Sequence, residues 1–176
     1  MATPDPAQPF AATRHDLTAG PDIAGRARLA PLPREDARRL AEAFASIDPW
    51  AKYGYAPERL AAFFSIAELS APRFALYDGD EIAGVVGLRL DWLRGPFLQF
   101  LGILPSAQGR GFGSSVMTWI EGEARRGSHR NLWVTASDFN PRALSLYKHH
   151  GYEQVARLEG LVSDEHAEIL FRKRLY

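Results

Sequence analysis

Three glycines at alternate positions in Gln108-Gly109-Arg110-Gly111-Phe112-Gly113-Ser114 stand between an apolar run, Phe97 to Leu104, and a stretch with helical spacing. The run is long enough, and rich enough in aromatic and branched residues, to form a strand that stops at Pro105. Beyond the glycines, Val116, Trp119, Ile120 and Ala124 share a helical face, and Gly127 stands at the C-cap position. Strand, glycine loop and helix N-terminus in that order aim several unpaired N–H groups, and the positive end of the helix dipole, at one point. An anion belongs there. Spacing excludes two familiar phosphate binders. Gly109 and Gly113 are too close for a P-loop, and no Gly-Lys-Ser/Thr follows. The third glycine comes one residue too early for a dinucleotide fingerprint, after a strand that reads as part of an antiparallel meander. On spacing alone, a plain glycine turn accounts for the loop as well as a binding site does.

Composition narrows the chemistry further. A chain of 176 residues with 46% apolar and 24% charged residues is long enough to bury one core without staples. It contains no cysteine, so disulfides and thiolate nucleophiles are excluded. Twenty-one basic residues balance 21 acidic ones, so no general field draws a polyanion, and nucleic acid is not an expected partner beyond a local patch. No window carries the ~18 unbroken apolar residues of a membrane span. No secretory signal pattern opens the chain, so the expected location is cytoplasmic.

The elements that must position the loop follow from periodicity. Residues 1–24, with Pro4, Pro6, Pro9 and Pro21 and no period, read as a flexible N-terminal tail, the alternative being that Phe10 or Leu17 docks on the body. Residues 25–176 read as a single domain. Gly25 to Ala30 is a short first strand. Pro33 opens a helix with Ala37, Leu40, Ala41, Phe44 and Ile47 inward, and Pro57 opens another with Leu60, Phe63, Phe64 and Ala67 inward. Between the two helices, Asp48 to Tyr55 is dense in aromatics, and Trp50 and Tyr53 either cap the helix pair or wall a pocket. Phe74 to Tyr77, a turn at Asp78-Gly79-Asp80, Glu81 to Trp92 and Phe97 to Leu104 make a three-strand meander. Asn131 to Ser137 is the next strand, separated by a helix and so able to run parallel. Asn140-Pro141 caps and opens a short helix carrying Ala143, Leu144 and Tyr147, which ends at Gly151. Tyr152 to Leu158 and His166 to Leu175 form a last antiparallel pair. The predicted fold is an α/β sandwich around one mixed sheet.

Read together, Gln108 to Gly113 and Asn140-Pro141-Arg142-Ala143-Leu144-Ser145-Leu146-Tyr147 followed by Gly151-Tyr152 resemble the GCN5-related N-acetyltransferases, from about Phe74 to Leu175. The first group matches that family's Gln/Arg-x-x-Gly-x-Gly/Ala loop and the second the later half of its core. The resemblance implies a three-layer α/β sandwich whose mixed, largely antiparallel sheet splays between its fourth and fifth strands. It implies acetyl-CoA as acyl donor, with no metal. Gln108, Gly109, Arg110, Gly111, Phe112, Gly113 and Ser114 would bind the cofactor, amides of about Arg110 to Ser114 holding its pyrophosphate. The pantetheine arm would pair with backbone at Leu101, Gly102 and Ile103, with Gly102 suited to a bulge, and Asn140 would add a cofactor contact to its capping role. The Ile103 N–H would polarise the thioester carbonyl, and Tyr147 would donate a proton to the departing thiolate, as a phenol can.

The resemblance also exposes a gap. Family members carry a Glu or His base on the strand before the loop, at positions matching Phe97 and Gln99, neither of which accepts a proton. Asp91, Glu165 and Glu168 are candidate substitutes, each open to a plain surface reading. Trp50, Tyr53, Asp91 and Gln99 are the candidate acceptor-site residues. The expectation is an N-acetyltransferase acting on a small amine, amino acid or peptide N-terminus, as monomer or homodimer. The rival is an acyl-CoA-binding sensor or scaffold without turnover.

Overall fold

The computed structural model of the chain describes residues 8–18 and 23–176. Eight strands form one sheet in the order β1-β2-β3-β4-β5-β6-β8-β7. They are β1 (His15–Asp16), β2 (Ala27–Pro31), β3 (Arg73–Asp78), β4 (Glu81–Trp92), β5 (Gly95–Ile103), β6 (Asn131–Ser137), β7 (Glu153–Ser163) and β8 (His166–Arg174). Four α-helices flank it, α1 (Ala37–Ala45), α2 (Pro57–Phe64), α3 (Phe112–Arg126) and α4 (Pro141–His149). Every neighbouring pair is antiparallel except β5 and β6, which the α3 crossover makes parallel.

Both faces of the sheet are covered, so its central strands are apolar on both sides. On one face Leu40, Ala41 and Phe44 of α1 and Leu60 and Phe64 of α2 pack on Val85 and Phe100. On the other, Phe112, Val116, Met117, Ile120 and Ala124 of α3 and Tyr147 of α4 pack on Leu76, Leu88, Leu98, Leu132 and Val134. These are the three layers and mixed sheet expected. The splay falls between β5 and β6, the fourth and fifth strands counted from Ala27, because β1 adds a short strand ahead of them.

Four local expectations need correction. Residues 8–18 are not a loose arm: β1 pairs with β2, and Phe10 and Leu17 are buried in the core, Phe10 against the Trp119 ring at 5.5 Å. Anchoring three large side chains, with Ile23 the third, outweighs ordering a short proline-containing segment. Residues 1–7 and 19–22 of the expected tail lie outside the described residues. A 3-10 turn, Arg34–Asp36, follows Pro33 before α1 begins. Helix α2 ends at Phe64, leaving Ala67 exposed beyond it. The bulge in β5 is at Gln99, not Gly102: Gly87 pairs with Phe100 but Leu88 with Leu98, so Gln99 has no opposite number.

Two consequences follow from that bulge. Leu98 and Leu101 pack on the α3 side while Phe100 packs on the α1 side, a spacing that unbroken alternation forbids. Gly102 then faces the α1 layer, where a Cβ would lie 2.5 Å from Phe44 and 2.6 Å from Phe100. Its glycine is a packing requirement of two aromatic rings.

Candidate active site

Strand β5 pairs with β6 only at Phe97/Trp133 and Leu98/Val134. Past the Gln99 bulge the two strands part, and a cavity of about 180 Å³ opens between Gln99, Phe100 and Leu101 on one side and Thr135, Ala136 and Ser137 on the other. The β5 backbone facing this gap is defined by register. Leu104 N–H donates to the Ala83 carbonyl at 2.8 Å, which makes Gly84 and Ile103 a non-hydrogen-bonded pair. Alternation then turns the N–H and C=O of Leu101 and Ile103 away from β4 and toward the opening, while those of Gly102 face β4. Gly102 is thus a spacer between two residues whose main chain faces the opening.

The glycine loop closes the same end of the gap. Gly109 and Gly111 have φ of +79° and +90°, a left-handed conformation that only glycine adopts without strain. A Cβ at either would meet nothing within 4 Å, so both border open space. Gly111 is the N-cap of α3 and supplies no side-chain cap; the first helical bond runs from Ser115 N–H to its carbonyl at 3.1 Å. The amides of Phe112, Gly113 and Ser114 therefore have no intrahelical acceptor and sit at the positive end of a 15-residue helix. Gly113 plays a different part, since a Cβ there would lie 3.2 Å from the end of the Leu146 side chain on α4, which would have to give way slightly.

Side chains brace the loop from both ends. Gln108 Nε2 donates to the Ile103 carbonyl at 3.0 Å, and its Oε1 accepts from Arg142 on α4. Arg110 pairs with Asp78 at 2.8 Å, its guanidinium 5.4 Å from the Phe112 ring centre, so its charge is already shared with a carboxylate. Asn140 caps α4 by accepting from Ala143 N–H at 3.1 Å, and its residue also borders the cavity.

Tyr147, 5% exposed, borders the cavity from α4. Burial, and next the Glu168 carboxylate, push its phenol well above the ordinary value, so it keeps its proton throughout the neutral range. Glu168 lies opposite Ser137 in the β6–β8 register and is 7% exposed. One of its oxygens accepts from Tyr53 and from Ser137, each at 2.7 Å. Burial, opposed by Ser137 and assisted by Glu168, pushes the Tyr53 hydroxyl up to about 12, so Tyr53 is a fixed donor. Trp50, stacked on Phe100 at 4.4 Å, completes the wall with Tyr55.

Of the expected site residues, Leu101, Gln99, Trp50, Tyr53, Asn140 and Tyr147 come together around one cavity. Asp91 does not: it is exposed beyond the closed end of the split, among Arg94, Asn131 and Arg172. Glu165 lies in the β7–β8 turn. Glu168 is the candidate carboxylate that reaches the cavity, and Ser137 its unforeseen partner. The signal for Glu168 was a lone acid between Ala167 and Ile169 in an apolar strand. Among the described residues, no cluster of His, Asp or Glu could hold a metal ion.

The split between β5 and β6 and the glycine N-terminus of α3 stand side by side in one three-layer α/β fold with a mixed sheet. A sequence model of the acetyltransferase (GNAT) family matches residues 21–152, and the chain belongs to that family. Solved structures agree at the level of fold. An acetyltransferase from Thermus thermophilus is 21% identical with a TM-score of 0.69, covering 85% of this chain and 97% of its own. The ribosomal L7/L12 alpha-N-protein acetyltransferase RimL, in complex with coenzyme A, is 14% identical with a TM-score of 0.70, covering 87% and 96%. Spermidine N-acetyltransferase from Vibrio cholerae, in complex with CoA and spermine, is 18% identical with a TM-score of 0.67, covering 85% and 96%. No helix among the described residues is long and apolar enough to cross a membrane.

Proposed function

We propose that the chain transfers an acetyl group from acetyl-CoA to a primary amine by direct attack, with Glu168 as base and Tyr147 as acid. Acetyl-CoA supplies the electrophilic carbonyl and the thiolate leaving group. The amides of Phe112, Gly113 and Ser114, beside the open space at Gly109 and Gly111, fit its pyrophosphate. The outward main chain of Leu101 and Ile103 fits the pantetheine amides, and because Leu101 and not Ile103 borders the cavity with Tyr147 and Glu168, the Leu101 N–H rather than that of Ile103 is the donor for negative charge that develops on the carbonyl oxygen. Glu168, held by Tyr53 and Ser137, accepts the ammonium proton directly or through one water. Tyr147, kept neutral by burial, gives its proton to sulfur as the C–S bond breaks and is reprotonated by the second proton that the attacking nitrogen loses, so that a neutral amide and a thiol leave.

The observation that carries this reading is a buried, doubly held carboxylate and a buried neutral phenol bordering one cavity. It also speaks against a binding module without turnover, a reading supported by the lack of a base on β5. Aromatic walls with a single carboxylate in the cavity favour a small amine, amino acid or peptide N-terminus. Two of the structural relatives act on a polyamine and on a protein N-terminus. The test is acetyl-CoA consumption against amines, amino acids and peptides, run with the wild type and Glu168→Gln. One class of amine should turn over, and the variant should lose roughly 10²- to 10⁴-fold in kcat/KM. No turnover with any amine sinks the activity; an undiminished variant sinks Glu168 as the base.

A further inference from the structure

A second cavity, of about 630 Å³, lies at the opposite ends of β5, β6 and β8, about 20 Å along β5 from Leu101. Four arginines line it: Arg94 from the β4–β5 turn, Arg130 just before β6, and Arg172 and Arg174 from β8. Most other arginines of the chain hold a carboxylate. These four do not. Among the described residues, the guanidinium groups of Arg94, Arg130 and Arg174 make no ion pair or hydrogen bond, and Arg172 uses only its Nε, on Asn131 Oδ1 at 2.8 Å. The acidic side chain bordering the cavity is Asp91, so the side chains of four arginines and one aspartate sum to +3 in a chain whose formal side-chain charge is zero. His129 adds nothing, because burial holds its pKa below the ordinary value.

The backbones that carry these cations are pinned together. Buried Asn131 accepts from Arg172 and donates through Nδ2 to the Arg94 carbonyl at 3.3 Å. Leu175 N–H donates to the Arg130 carbonyl at 3.0 Å, holding Arg130 beside the Arg174 end of β8. Gly95 runs so close to Asn131 that a Cβ would strike its carbonyl. Unneutralised guanidinium groups gathered around a concavity repel one another and give it a positive potential that an anion relieves, and arginine forks match phosphate oxygens. The volume falls within the range of small-molecule sites. We propose that this cavity is a second anion site that takes a small polyphosphate, either inorganic or borne by a nucleotide.

Calorimetry of the full chain with sodium pyrophosphate, and separately with ATP, tests this. Saturating CoA is included to fill the glycine cradle, and the Arg130→Ala/Arg174→Ala double variant runs alongside. Both replaced side chains are exposed, and an unchanged urea midpoint checks the fold. The expected result is one equivalent bound in the presence of CoA, weakened at least tenfold in the double variant and by added salt. Tighter ATP binding identifies a nucleotide, and equal binding identifies the phosphates alone as the recognised group. No heat up to about 10 mM of either anion, displacement by CoA, or equal affinity in the double variant overturns the site. If CoA itself gives no heat, the proposed acetyl-CoA cleft fails, while the arginine cavity is still read from the difference between wild type and double variant.

Discussion

Tyr147 and Glu168 illustrate how differently two polar side chains can be specified. Tyr147 is on the inner face of an amphipathic helix opened by Asn140-Pro141, so its burial was legible in the spacing. Glu168 was one of three carboxylates with equal claims. Only its pairing opposite Ser137, and the reach of Tyr53 from 115 residues away, separate it from Asp91 and Glu165. At this scale the expected outcome of Tyr147→Phe is a fall in kcat of roughly tenfold or more, with CoA affinity by calorimetry unchanged, because the ring still fills its place against Phe171 and Tyr152. Full activity would reassign Tyr147 to packing. Since burial and Glu168 both raise its pKa, no loss of rate below about pH 10 should trace to its ionisation.

The elements show which glycines serve packing and which border open space. In sequence Gly102, Gly111 and Gly113 all looked like ligand-side glycines. In three dimensions Gly102 makes room for Phe44 and Phe100, Gly113 makes room for Leu146, and Gly109 and Gly111 border empty space. Gly111→Val should therefore abolish CoA heat in calorimetry, since its side chain enters the space the pyrophosphate would occupy. The left-handed φ adds backbone strain of about 1–2 kcal/mol, read separately as a lower urea midpoint. Retained CoA affinity would remove the cradle from α3. The displaced bulge has the same lesson. Alternation in Phe97 to Leu104 specified a strand but not that Gln99 drops out of register, because a bulge is decided by the partner strand.

For the molecule as a whole, burial of titratable groups defines a pH window of stability. His15, His129 and His150 all have pKa values below the ordinary 6.5, burial being the main cause of each. A depressed folded-state pKa means the unfolded chain binds more protons, so this stability is present above about pH 6.5 and is lost as pH falls below it. Tyr53, Tyr147 and Tyr152 have pKa values raised above the ordinary 10, again mainly by burial. Their contribution is full below about pH 10 and is lost as pH rises from there. Urea midpoints measured from pH 5 to 11 should form a plateau between those limits and decline on both sides; a midpoint flat from pH 7 to pH 5 would show that these histidines do not oppose protonation.

The local content of the fold was legible from the residues alone. Periods of two and 3.6, prolines at helix starts, Asp78-Gly79 at the hairpin and the glycines before α3 act within a few residues, so they specified most elements and the glycine N-terminus of α3. What depends on distant residues meeting was decided by tertiary structure. Phe10 reaches the core because Trp119 offers a surface, the split opens because β6 leaves β5 after Leu98, and Glu168 becomes a candidate base because Tyr53 and Ser137 hold it. The balance of 21 basic and 21 acidic residues likewise concealed four arginines around one cavity, since a sum of charges carries no positions.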